Sequence, residues 1–325
     1  MRLEIRGVWQ ANFQHLHLRC AQAQVQVSPN LKSPAEITMV STAQAGCDVF
    51  VIGTASLDVL HFAGQTARAA GGAGLYTAIA AARAGARAGL LAPKPTPMPE
   101  LLLPVAKRLH WIGPLIAPAE LPRLEIEHHG GGRATLVDAS WGAEAQLTPD
   151  YLPPEICEAA FIHIAALSTA QRQLDFLHEI KRRRAVASRQ QPFISVGTYA
   201  RLVYGDTDRV RQLLAEADLF FMNDNEARGL FGSVDQARTR PGARLFVTLG
   251  ELGALVIEGE RVTPIPGRLV DELDPTGAGD TFCGATLAGL AHGDTPVQAA
   301  RQAVALAAQT VAAVGPEALL GQVSR

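Results

Sequence analysis

The run Leu273-Asp274-Pro275-Thr276-Gly277-Ala278-Gly279-Asp280-Thr281-Phe282 sets a glycine-rich turn and then a carboxylate ahead of small apolar residues, Thr281 to Leu290, that read as a helix. A helix start has unpaired N–H groups and a partial positive charge. Amides of Gly277, Ala278 and Gly279 gathered at such a start favour a phosphate. Asp280 follows them directly, placed to take a proton from a hydroxyl that attacks that phosphate. An anion cradle beside a base is what phosphoryl transfer to an alcohol needs. The same residues also suit a tight turn with an acidic cap. No Gly-Lys-[Ser/Thr] follows the glycines, so the run is not a Walker A loop.

Other residues carry chemistry more loosely. Gly71-Gly72-Ala73-Gly74 opens a helix pattern, and a double glycine lets a ligand approach the backbone closely. A dinucleotide fingerprint is a poor fit: G-x-G-x-x-G is not satisfied and no acidic residue ends the next strand. Asp58 comes just after the first expected strand, at the edge where open α/β sheets bind ligands. A carboxylate accepts two O–H bonds at once and suits a polyol, although a plain turn residue is the alternative. Asn223-Asp224-Asn225-Glu226 follows Phe220-Phe221-Met222 and reads as a ligand site or as a helix cap. Thr248-Leu249-Gly250-Glu251-Leu252-Gly253 ends another strand and by itself reads as a β-hairpin turn. Ala303 to Ala308 offers a smooth helix face, fit for a purine or for helix packing.

The elements that must position these groups follow a βα rhythm. Strands are expected at residues 48–53, 87–91, 161–165, 192–196, 218–222, 244–248 and 254–258. Helices are expected at 74–83, closed by Gly85, and at 169–184, 208–216, 224–231, 279–292 and 295–314. The proline-rich stretch 93–99 cannot be regular structure and leads to a helix near 101–109. Leu124 to His128, Gly130-Gly131-Gly132, then Arg133 to Val137 read as a β-hairpin. Its period of two implies one wet face, so it belongs to a small lid, with lid strands around 57–66 and 120–140. The fold class is therefore α/β, a mostly parallel central sheet with helices on both faces and a small β lid. Residues 1–45 show no clean period and read as an N-terminal extension, strand, disordered leader or sequence upstream of a start near Met39, before a domain at 46–325.

Bulk properties exclude several classes. Of 325 residues, 48% are hydrophobic and 18% charged, enough to bury a sizeable core. A formal net charge of −2 argues against a nucleic-acid partner. Lys181-Arg182-Arg183-Arg184 ends an expected helix, where cations suit the dipole. Cys20, Cys47, Cys157 and Cys283 are scattered with no CxxC pair, which fits reduced thiols and a cytoplasmic location. No apolar stretch reaches the ~18–20 residues that span a bilayer, so no membrane partner is expected.

Five ordered elements resemble the PfkB/ribokinase family of small-molecule kinases across about residues 47–320. They are Asp58, the double glycine, Asn223-x-x-Glu226, Thr248-x-Gly250-x-x-Gly253 and the Gly277-Ala278-Gly279-Asp280 signature. The resemblance implies ATP-dependent phosphorylation of a hydroxyl of a sugar or related small molecule. Asp280 would be the base and Gly277 to Gly279 the anion hole. Asp58, Gly71, Gly72 and Tyr76 would bind the substrate. Asn223, Thr248, Gly250, Gly253 and Thr276 would bind the nucleotide. Glu226 and Asn223 would hold Mg2+, partly through water, and Asp274 with Thr276 a monovalent cation such as K+. A homodimer through lid strands is implied by the same analogy. Ala73 and Tyr76 stand where ribokinase has Lys and Asn, and the usual G-x-D-x-x-G is replaced by the Pro93–Pro99 loop. Val196-Gly197-Thr198-Tyr199 stands where an acidic residue is common. These departures leave open a nucleoside kinase, with Tyr76 stacking on a base and His128 or His129 assisting, or a weakly catalytic sugar sensor.

Overall fold

Val49–Ile52 (β1), Ala88–Leu91 (β4) and Phe161–Ile164 (β10) are four-residue runs buried along their whole length, as parallel strands covered on both faces must be. A computed structural model describes residues 47–321 except 63, 131–132 and 188–190, so the readings on residues 1–45 lie outside the described residues. Between β1 and β4 the chain makes Ser56–Phe62 (β2) and Gln65–Gly71 (β3). Lys94–Pro95 (β5), His110–Ile112 (β6), Leu115–Ile116 (β7), Arg123–Gly130 (β8) and Arg133–Ser140 (β9) come before β10. Phe193–Gly197 (β11), Leu219–Asn223 (β12), Arg244–Thr248 (β13), Gly253–Glu258 (β14) and Arg261–Pro266 (β15) follow it.

The main sheet runs β15-β14-β13-β12-β11-β10-β1-β4-β6. It is parallel from β6 to β13, and β14 and β15 close it antiparallel. The helix Ala73–Arg83 packs against the helix Ala278–Ala291 through small residues. A Cβ on Gly284 would overlap the Thr77 carbonyl, so the two backbones approach only because that residue is glycine. Ala303 and Val304 of Pro296–Val311 are buried in the core, where that helix packs on Ala278–Ala291 and on β14 and β15, so this part of the alanine face serves packing.

A second sheet, β3-β2-β8-β9, forms the lid. Here β2 pairs with β8 in parallel and the other pairs are antiparallel. Asp58 is therefore not at the edge of the main sheet; it sits inside lid strand β2. Gly71 is the last residue of β3 and Gly72 the N-cap of the following helix, at φ 99. The proline stretch is less irregular than expected, since β5 pairs with β7. The helix expected near 101–109 shrinks to a 3-10 turn at Glu100–Leu102 and one helical turn at Leu103–Ala106. Strand β15 carries Pro264, and the sheet tolerates it because this is an edge strand.

Candidate active site

One cleft of about 330 Å³ gathers Asp58, Gly72, Tyr76, Asn223 and Glu226 with Thr248, Thr276, Gly277, Gly279 and Asp280. Gly71 adjoins it: a Cβ there would overlap the Asp58 carboxylate, so glycine is required for the lid strand to pass. Ala278, Gly250, Gly253 and Asp274 do not line the cleft. Gly250 and Gly253 shape the turn between β13 and β14, with φ of 59 and 101.

Gly277 caps the helix Ala278–Ala291 in the left-handed region, φ 74. A Cβ on Gly277 would enter the Tyr76 ring, so the turn lies directly on that ring's face. Tyr76 is 1% exposed and cannot stack on a base as expected. Its hydroxyl is buried without a hydrogen-bond partner among the described residues. The Ala278 N–H donates to the Pro275 carbonyl at 3.3 Å, which leaves Gly277 and Gly279 as the turn residues on the cleft.

Asp280, in the first helical turn, is half-buried and open to the cleft. Loss of bulk water pushes its carboxyl up to about 7. Glu226 is more deeply buried, and burial together with the Asp280 charge carries it to about 8, against the hydrogen bonds from Asn223. Those bonds form a capping box: Asn223 N and Nδ2 donate to Glu226 at 2.9 and 2.7 Å, and Glu226 N donates back to Asn223 Oδ1 at 2.9 Å. The cap and the ligand readings therefore describe the same two residues. Each Glu226 oxygen keeps a second lone pair, and two acidic groups that resist ionising are a setting that a cation relieves. Mg2+ takes few protein ligands and keeps its waters, so Asn223 and Glu226 fit it. Among the described residues no group of three His, Cys, Asp or Glu side chains forms a metal cage.

Asp58 is 2% exposed and accepts from Leu124 N at 3.0 Å, which ties β2 to β8. Burial raises its carboxyl to about 6. A carboxyl raised in the fold favours folding below its ordinary value of 3.8, and that contribution is lost as pH climbs through about 6. Asp58→Asn should therefore stabilise the unliganded protein by roughly 1–3 kcal/mol at pH 8 and by little at pH 4. Urea melts at the two pH values check this; an equal effect at both would remove the electrostatic account.

No spacing in the chain marks an aromatic wall. Trp141 and Tyr199 line the cleft with ring centroids 6.3 Å apart at 56°. Both come from loops without periodicity, where a lone aromatic carries no pattern. The Tyr199 hydroxyl and the Thr198 Oγ1 are buried without partners among the described residues. His163 lies in the floor, pushed down to about 3 by burial, with Nδ1 2.8 Å from Ser195 Oγ. His129 is turned to Thr135 of its own hairpin at 2.8 Å. Asp274 and Thr276, the expected cation ligands, face lid residue His128.

Known proteins match this arrangement. The model of the pfkB family of carbohydrate kinases matches residues 121–320. A cytidine kinase of Thermococcus kodakarensis is 32% identical over 258 residues, covering 76% of this chain and 89% of its own. The fold is shared with adenosine kinase from Sinorhizobium meliloti, at TM-score 0.70 and 18% identity over 84% of this chain and 96% of that one. It is also shared with a ribokinase from Cryptococcus neoformans in complex with ADP, at TM-score 0.65 and 19% identity over 85% and 97%. No helix among the described residues is long and apolar enough to cross a membrane. With its glycine turn, cleft carboxylates and β lid, the chain belongs to the PfkB family of carbohydrate kinases and is a sugar or nucleoside kinase.

Proposed function

We propose that the chain transfers the terminal phosphoryl group of ATP to a hydroxyl of a nucleoside. The observation that carries the substrate class is the Trp141–Tyr199 pair in the same cleft as Asp58 and Asp280. A nucleobase presents a flat π-face that gains from stacking on such rings, about 1–3 kcal/mol per base. The similarity to a cytidine kinase supports the same reading.

Asp58 accepts hydrogen bonds from ribose hydroxyls and holds the acceptor in place. Asp280 takes the proton of the attacking hydroxyl. The amides of Gly277 and Gly279, at a helix start with its positive end toward the cleft, stabilise charge on the transferring phosphoryl oxygens. Thr248 and Thr276 offer hydroxyls on the nucleotide side. Asn223 and Glu226 would hold Mg2+ through water, which supplies positive charge near the nucleotide phosphates. The lid excludes water, so the acceptor hydroxyl outcompetes hydrolysis. Lid strands pairing between subunits would give a homodimer.

A panel of cytidine, adenosine, inosine, ribose and fructose with ATP tests the reading. Nucleosides should lead by kcat/KM; a ribose or fructose lead would return the chain to the sugar class. Trp141→Ala should raise KM for the best nucleoside about 10–100-fold, the worth of one base–aromatic stack, with a smaller change in kcat. An unchanged KM would remove Trp141 from the base site.

A further inference from the structure

Asp274 is 1% exposed, and its oxygens are already engaged. Oδ1 accepts from Thr276 N at 2.9 Å and Oδ2 from Gly315 N at 2.8 Å. His128 Nε2 then approaches the same Oδ1 at 3.1 Å and Thr276 Oγ1 at 3.2 Å. The imidazole thus lies at the point between carboxylate and hydroxyl where a shared cation would bind. A hard cation needs that point clear for itself and its oxygens, and here the His128 ring occupies it. The residues do not fit a bound monovalent ion.

We propose that the His128 imidazole stands in for a monovalent cation between Asp274 and Thr276, so that the lid itself braces the catalytic turn. The ring comes from lid strand β8, and the pairing of β8 with β9 slips between His128 and Gly130. Such a bulge re-aims a side chain. The His128 side chain is 4% exposed, and Nδ1 is buried without a partner among the described residues. Burying an unpaired N–H is costly, so we assign the hydrogen to Nε2, which donates toward Asp274. A hydrogen bond to a carboxylate is stronger than one between neutral groups. This contact needs no charge on the ring. Closing the lid and bracing the turn are then one event, an inference that rests on the turn being the phosphate site proposed above.

The test reads cation binding and lid order, neither of which depends on the substrate. Wild-type protein should melt at one temperature in potassium, sodium and choline chloride at equal ionic strength. His128→Ala clears that point, so its melting temperature should rise with potassium over sodium and choline. Its β8 and β9 amides should exchange with solvent about tenfold faster than in the wild type when no potassium is present. A saturable, potassium-specific stabilisation of the wild type would overturn the proposal, and so would a thallium peak beside Asp274 in wild-type crystals. Unchanged lid exchange in His128→Ala would do the same. Should that variant fail to fold, the wild-type melts and the thallium soak decide alone.

Discussion

Asp280→Asn should lower kcat by about 10²–10⁴-fold, the usual worth of a positioned proton acceptor, while nucleotide affinity stays within about threefold of wild type. The amide has the size of the carboxylate but cannot take the proton. Its place in the first turn of Ala278–Ala291, open to the cleft, is unchanged by the swap. The pH profile separates this role from a structural one. A base must be ionised, and burial holds the Asp280 carboxyl near 7. Wild-type kcat/KM should thus fall about tenfold per pH unit below that value and level off above it. The variant's residual rate should lose that limb. A variant with wild-type turnover would end the assignment of Asp280 as base.

Gly277→Ala should be nearly as damaging, for a different reason. The new methyl would meet the Tyr76 ring, and φ 74 is strained for any residue with a Cβ. Tyr76 cannot yield, being 1% exposed beneath the turn. The turn must shift, and amides displaced from the phosphoryl oxygens lose roughly 10²–10³-fold in kcat. Gly250→Ala is the matched control. Gly250 also has a positive φ, 59, but a Cβ there meets nothing within 4 Å. It should cost about 1 kcal/mol of stability with near-normal kcat. Equal losses from the two would mean that backbone strain, and not the Tyr76 contact, sets the effect.

Much of this was legible in the chain. Buried runs such as Phe161–Ile164 and the amphipathic stretches between them report a parallel sheet by local pattern alone, and six expected helices appear within a few residues. The glycine turn was legible because its residue types are dictated by backbone geometry. The lid was legible only in half. Strand β8 pairs with its neighbour β9 across a glycine turn, but β2 pairs with β8 across a long stretch of sequence. The lid strand expected around 57–66 already contains Asp58, but its pairing with β8 is long-range and no local pattern encodes it. Strand β3, Gln-Thr-Ala-Arg-Ala-Ala-Gly, lacks the alternation that would have marked it. Tyr76 points under the turn, and Trp141 meets Tyr199, for reasons of tertiary packing that no spacing encodes. The slip at His128 is likewise a property of the strand pair.

The glycine turn is held from far downstream. Leu273 N and Asp274 N both donate to the Val311 carbonyl, at 2.9 and 3.1 Å, and Gly315 N donates to Asp274. During translation, a nascent chain that has not yet delivered residue 315 lacks these anchors even when every strand of the sheet has emerged. A premature stop after residue 300 would accordingly leave the turn without its tethers and would also take Ala303, Val304 and Leu319 out of the core.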